Sequence, residues 1–137
     1  MSQEAPRDRP EQVRFATEAL NARDFDALAA VFHAELQHHS VFAAVAGEVY
    51  RGIEGQRKRW DNVTATWDQF RVEVAEIHEV DDKRVVVVLG LTGEAKASRL
   101  PLDTRLAQMW TWREGKVWRI VTYTNPSDAL EAVGLAS

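Results

Sequence analysis

Apolar residues recur at helical spacing near the start of this chain and at alternate positions over most of its second half. Val13, Ala16, Ala19 and Leu20 mark a first amphipathic helix beginning at about Pro10. Asn21-Ala22-Arg23 breaks it, and Asp24 suits the N-cap of a second helix. That helix carries Phe25, Leu28, Ala29 and Phe32 at i, i+3, i+4 and i+7. Residues 36–41 read as a short strand and 45–47 as a loop. A third helix is predicted from Gly52-Ile53-Glu54-Gly55, with Trp60, Val63, Trp67 and Phe70 placing both tryptophans on one buried face.

The period then changes to two. Val72, Val74, Ala75 and Ile77 form a strand whose parity slips, as at a bulge. Asp81-Asp82 turns the chain into a strand at 84–91 that is apolar on both faces. A polar connection at 92–100 leads to a long strand at 102–113, and Glu114-Gly115 turns it tightly into another at 117–124. Asn125, Pro126 and Asp128 fit N-cap, N1 and N3 of a last helix, with Gly134 at its C′ position. Helices followed by consecutive strands predict an α+β domain with the helices on one face of a curved sheet. The run Val85-Val86-Val87-Val88-Leu89 lacks polar alternation, so both faces of that sheet are covered. Helices cover one; a partner subunit on the other predicts a homodimer through the outer sheet face.

Composition narrows the picture without changing it. The 137 residues suit one domain, 10–137, behind a polar, disordered lead-in at 1–9, with 45% hydrophobic and 28% charged residues. A net charge of -4, and no basic cluster beyond Arg57-Lys58-Arg59 on the outer face of the third helix, argue against a nucleic-acid partner. The absence of cysteine excludes disulfides and thiolate chemistry. The first residues lack the apolar core of a signal peptide, and the run at 85–89 is far short of the ~20 residues that span a bilayer. The expectation is a soluble, cytoplasmic protein that does not enter membranes.

Several local runs occur in a telling order. They are Asn21-Ala22-Arg23-Asp24-Phe25-Asp26-Ala27-Leu28, Tyr50-Arg51-Gly52-Ile53-Glu54-Gly55 and Arg113-Glu114-Gly115-Lys116-Val117. The stretch from Tyr123 through Asp128-Ala129-Leu130-Glu131-Ala132 to Val133-Gly134-Leu135 completes the series. Together they resemble the nuclear transport factor 2-like superfamily, in particular its SnoaL-like branch, from about residue 10 onward. The resemblance implies a cone: a strongly bent antiparallel sheet wrapped around a long helix, with an apolar cavity at its open end. Similar proteins include polyketide cyclases, ketosteroid isomerases, epoxide hydrolases, dehydratases and small dioxygenase subunits, and others are ligand binders. Function must therefore be argued from the site.

His38 and His39 point to opposite faces of the first strand, and His38 shares the face of Leu36. There it could serve as a general base near neutral pH, or be a half-buried histidine bonded to the backbone. Asp103 and Arg105 share a strand face, either as a substrate-orienting pair with Asp103 carrying a proton or as a surface ion pair. Tyr50 is a further orienting candidate. Tyr50, Trp60, Trp67, Trp110, Trp112 and Tyr123, with Gln108 on the face of Trp110 and Trp112, form either an aromatic cavity wall or plain core. Trp118 is a candidate for a partner-facing position. Asn125 stands where the resemblance implies a catalytic aspartate; an amide cannot take a proton as a base and reads as a helix cap.

His33, His38, His39 and His78 lack zinc-site spacing, and no phosphate loop or nucleophile elbow is present, so neither metal nor cofactor is expected. The expected function is binding of a small hydrophobic molecule. Cofactor-independent isomerisation, dehydration, cyclisation or epoxide opening would use His38 as base, with Tyr50, Asp103 or Arg105 orienting. A non-catalytic binder, favoured by the missing strand-end carboxylate, and an accessory subunit are the alternatives.

Overall fold

Capping chemistry sets the first two helices. The Asp8 carboxylate accepts from the Glu11 N–H at 3.2 Å and starts α1 (Arg9–Asn21), and Asp24 accepts from the Ala27 N–H at 3.1 Å and starts α2 (Phe25–Ala29). The structure, a computed structural model, describes residues 8–39 and 49–134; residues 1–7 of the expected lead-in, the loop at 45–47 and Leu135 lie outside these. Arg9 opens α1 with Asp8 as its N-cap, so these two residues are ordered at the helix start. The second helix is also shorter than its apolar spacing predicts. It is five residues long, and Phe32 opens β1 (Phe32–His39) instead of completing a stripe. A single helical turn is marginal, and pairing with a distant strand captures the chain first: the Val117 N–H donates to the Val31 carbonyl at 2.8 Å.

The remaining elements are β2 (Val49–Arg51), α3 (Gly52–Thr66), β3 (Trp67–Glu79), β4 (Arg84–Ala95), β5 (Pro101–Arg113), β6 (Lys116–Tyr123) and α4 (Pro126–Ala132). Trp67 and Phe70 therefore lie on a strand, and no single helix face carries both Trp60 and Trp67; each is half-buried. The sheet runs β2-β1-β6-β5-β4-β3. It is mixed rather than wholly antiparallel, because β1 lies parallel to β6. The bulge expected in β3 is present, between Val74 and Glu76.

One constraint ties α1 to the sheet edge. Asn21 Nδ2 donates to the Val72 carbonyl at 2.8 Å and its Oδ1 accepts from the Val72 N–H at 2.9 Å, so this amide stands in for a missing neighbour strand. At the β5–β6 turn, Glu114 and Gly115 have φ of 56° and 79°, the left-handed pair that a two-residue hairpin favours. Across that hairpin Trp112 pairs with Val117 but Thr111 with Arg119, leaving Trp118 as the extra residue of a bulge.

Strand parity sorts the two faces. Val85, Val87, Leu89 and Leu91 of β4 join Leu106, Trp110 and Trp112 of β5 in the main core with Val13, Ala16 and Val63 from α1 and α3. Val86, Val88 and Ala107 face outward and are buried against Ala129 of α4, with Met109, Tyr123, Leu130 and Val133 around them. The chain's own C-terminal helix thus packs on part of the outer face, the face on which a partner subunit is expected. No helix among the described residues is long and apolar enough to cross a membrane.

Gly55 marks a close approach between α3 and the end of β2. A Cβ there would sit 2.9 Å from the Tyr50 carbonyl carbon, a backbone atom that cannot swing aside. Gly55→Ala is expected to destabilise the fold by about 1–3 kcal/mol, read as a lower urea midpoint at unchanged m-value.

Candidate functional site

Between the helices and the inner sheet face lies a cavity of about 50 Å³. Most of its wall is apolar, supplied by Leu28 and Phe32, Phe70 and Val72 of β3, Leu89 and Leu91 of β4, Leu106 and Trp110 of β5, and Ile120 of β6. The polar groups are few: Thr17, His38, Gln56, Arg59, Gln108 and Thr122. Two of them are committed to the wall itself, since Trp110 Nε1–H donates to Gln108 Oε1 at 2.9 Å and Gln108 Nε2–H donates to Thr122 Oγ1 at 3.4 Å.

His38 is the chemical centre of this space. It is 2% exposed, and its Nδ1–H donates to Gln56 Oε1 at 2.9 Å. That bond fixes the tautomer, leaving the lone pair on Nε2, which is buried and has no hydrogen-bond partner. Burial, and next the Arg59 guanidinium, hold the imidazole well below its ordinary 6.5 against the opposing pull of Gln56. At neutral pH it is an uncharged acceptor. Arg59 is also buried; desolvation lowers it to about 10, with Tyr50 opposing, so it stays a cation.

Gln56 and Arg59 escape a reading based on apolar periodicity. They share the buried face of α3 with Val63, at i, i+3 and i+7, so the stripe is present but partly written in polar letters. Glu54, Arg57, Lys58 and Asp61 are exposed around it. The basic cluster is accordingly split: Arg57 lies over the Phe25 ring at 4.2 Å, whereas Arg59 turns inward rather than lying on the outer face.

Of the expected site residues, the structure brings His38, Gln108 and Trp110 together around the cavity. Tyr50 is buried opposite His38 in the β1–β2 pair, beyond the described lining, and its hydroxyl accepts from Asn62 Nδ2 at 3.1 Å. Trp60 packs edge-on against Phe25, and Trp67 lies off the wall. Trp112 stacks beside Trp110, and its Nε1–H donates to Gln12 Oε1 at 2.6 Å, which makes it core. Asp103 and Arg105 are exposed on the outer face, because the even-numbered residues of β5 point inward. Tyr123 is outward for the same reason and packs under α4. Asn125 caps α4 by accepting from the Ser127 N–H at 3.0 Å. Trp118, half-buried at the bulge, lies beside Arg113. His33 pairs with Glu114 and His78 with Glu76 at the surface, so the four histidines do not converge.

Comparison with known proteins places the fold. The model of a family described as a SnoaL-like domain matches residues 13–120. A nuclear transport factor 2-like protein of unknown function from Burkholderia pseudomallei superposes with a TM-score of 0.73 at 16% identity, over 88% of this chain and 93% of that one. A protein of ketosteroid isomerase-like fold from Catenulispora acidiphila, solved with trimethylamine, gives 0.73 at 20%, over 92% and 94%. A Mycobacterium tuberculosis protein in complex with estradiol-17beta-hemisuccinate gives 0.70 at 16%, over 82% and 90%. At such identities the likeness is one of fold. No curated protein matches the sequence.

The neutral state of His38 has a thermodynamic signature. Below about pH 6.5 the unfolded chain binds a proton at this histidine that the folded chain refuses, so stability falls on acidification. The loss is at most about 1.4 kcal/mol per pH unit for one group. His39, lowered by burial first and then by Arg119 and Arg51, acts in the same direction. Urea denaturation between about pH 7.5 and 5.5 is expected to show this slope, and His38→Gln to flatten it; parallel profiles would show that His38 is not held neutral.

Proposed function

The chain belongs to the SnoaL-like domain family, and from that premise we propose that its cavity binds a small organic molecule and exchanges a proton with it through His38. The carrying observation is the buried Nε2 lone pair, unpartnered within the protein and set in a cavity wall. A general base needs such a lone pair within hydrogen-bond reach of the proton it removes. The proton passes from a C–H or O–H of the ligand to Nε2, and the electron pair stays on the ligand. Arg59, on the same wall, stabilises the oxyanion that forms. Return of the proton to another atom is isomerisation; loss of a leaving group instead is elimination. The complexes of fold relatives with trimethylamine and with an estradiol ester support a small-molecule role for this cavity.

A second reading, binding without turnover, is favoured by a different observation. Among the described residues no carboxylate lines the cavity, and Asn125 is occupied as a cap.

Deuterium exchange separates the two. In D₂O, wild-type protein with a panel of enolisable ketones and 2-oxo acids is expected to wash out α-protons, followed by NMR, with His38→Gln slower by about 10²-fold or more. Exchange undiminished in His38→Gln removes His38 from the mechanism. Binding with no exchange by the wild type leaves the second reading.

We further propose that self-association through the outer face uses the part beyond α4, a groove lined by Arg71, Glu73, Asp103 and Arg105. Its charges are of both signs and suit a self-complementary contact. Sedimentation equilibrium should show a dimer that weakens with added salt; a monomer at low salt overturns this assignment.

A further inference from the structure

The hydrogen bonds along one wall of the cavity all run in the same direction. An indole N–H can only donate, so the Trp110 Nε1–H, 2.9 Å from Gln108 Oε1, settles which end of the Gln108 amide is oxygen. The amide nitrogen is thereby turned toward Thr122, and its N–H donates to Oγ1 at 3.4 Å. With its oxygen engaged as acceptor, the Thr122 hydroxyl still has its own hydrogen to give. Among the described residues no acceptor takes that hydrogen, and Thr122 lines the cavity. Trp110, Gln108 and Thr122 thus form a relay ending on an O–H in the wall, and linked hydrogen bonds of this kind polarise one another.

The sheet sets this donor against the histidine. Ile120 of β6 lies across from His38 of β1, and Thr122 is two residues further along on the same face. Neighbouring strands are about 4.8 Å apart and two residues advance about 6.6 Å, so the two side chains rise from backbone positions about 8 Å apart. One offers a lone pair at Nε2, the other a hydrogen at Oγ1. A hydrocarbon ligand would leave both unpaired in a largely apolar space, which costs binding. A carbonyl compound answers both: its oxygen accepts from Thr122, and an acidic hydrogen on the adjoining carbon points to His38. A cavity of about 50 Å³ keeps that compound small.

We propose that Thr122 is the donor to the carbonyl oxygen of the ligand, aimed by Gln108 and Trp110 as positioning residues, and that the cavity takes compact carbonyl compounds with an α-hydrogen. When His38 Nε2 takes the α-proton, the C–H electron pair moves into the enolate and negative charge gathers on the oxygen facing Thr122. The hydrogen bond then strengthens where the charge develops. Thr122 supplies this bond independently of Arg59. The assignment deepens the proton-exchange reading above and rests on it.

The test uses acetone, cyclopentanone and cyclohexanone with the full-length protein. The carbonyl stretch of the bound ketone, read by isotope-edited infrared difference spectroscopy, is expected below its position in a hydrocarbon solvent. Thr122→Val keeps the shape, removes the hydroxyl and should return the band upward; Thr122→Ser keeps an O–H and should hold it low. Gln108→Glu offers an acceptor to both neighbours, so it should draw the Thr122 hydrogen away and raise the band as Thr122→Val does. Deuterium exchange at the α-carbon is expected to slow by about 10²-fold in Thr122→Val, as for loss of one oxyanion donor, with ketone affinity changed by about tenfold or less. A band that stays low in folded Thr122→Val overturns the role of Thr122, and one that stays low in folded Gln108→Glu overturns the relay. Because Gln108→Glu could fail to fold, the valine and serine pair stands alone. The band needs binding but no turnover: a band that depends on Thr122 without any wild-type exchange keeps the donor and overturns proton transfer. Failure of all three ketones to bind the folded wild type overturns both.

Discussion

Alternation of side chains along β4 and β5, read between two separate covers, is the constraint on which the rest of the structure depends. Inward residues meet α1 and α3, and outward ones meet α4. Leu89 opposite Leu106, Val87 opposite Gln108 and Val85 opposite Trp110 build one wall, while Val86, Val88, Ala107 and Met109 build the other. A one-residue slip would exchange the two sets and bring Asp103 and Arg105 to the inner face. The bulge at Trp118 makes the same rule hold across the hairpin: it lets Trp112 and Val117 face inward together while Ile120 still meets Trp110.

Much of this was legible from local chemistry. The caps at Asp24 and Asn125, the tight turn at Glu114-Gly115 and the bulge of β3 are consequences of a few neighbouring residues, and each is found in place. What failed is non-local. The parallel pairing of β1 with β6 joins residues far apart in the chain, and β2 is three residues long and leaves no periodicity to read. The valine run implies two covered faces but not that the chain's own α4 supplies part of the outer cover.

The candidate site was legible by half. His38 could be assigned by parity with Leu36, because a strand's two faces are fixed by counting. The face of β5 that turns inward could not be counted, since both parities carry large side chains, and that ambiguity put Asp103, Arg105 and Tyr123 beside the cavity. Arg59 was hidden for another reason. Apolar periodicity finds buried faces by the residues that usually fill them, and a buried guanidinium is rare because its desolvation is costly. Arg59 is thus overlooked by apolar periodicity because its burial costs stability, and departures from local rules of this kind mark candidate functional positions.

That cost bears on how the site can work. The field of Arg59 weakens His38 as a base, which by itself hinders proton removal. The same field acts on the ligand and lowers the pKa of any acid whose anion forms near the guanidinium. Proton transfer from ligand to Nε2 leaves negative charge on the ligand and places positive charge on the imidazole. The first gains from Arg59 and the second loses by it, so the net effect depends on which lies closer to the guanidinium. Gln56 tilts this balance, since its carbonyl oxygen accepts the Nδ1–H and so favours the charged ring. A ligand with its oxygen directly on Arg59 and its acidic proton toward Nε2 gains more than the imidazole loses, because charge interaction falls with distance. The same two groups whose burial is costly thereby set where in the cavity a proton transfer to Nε2 would be favoured.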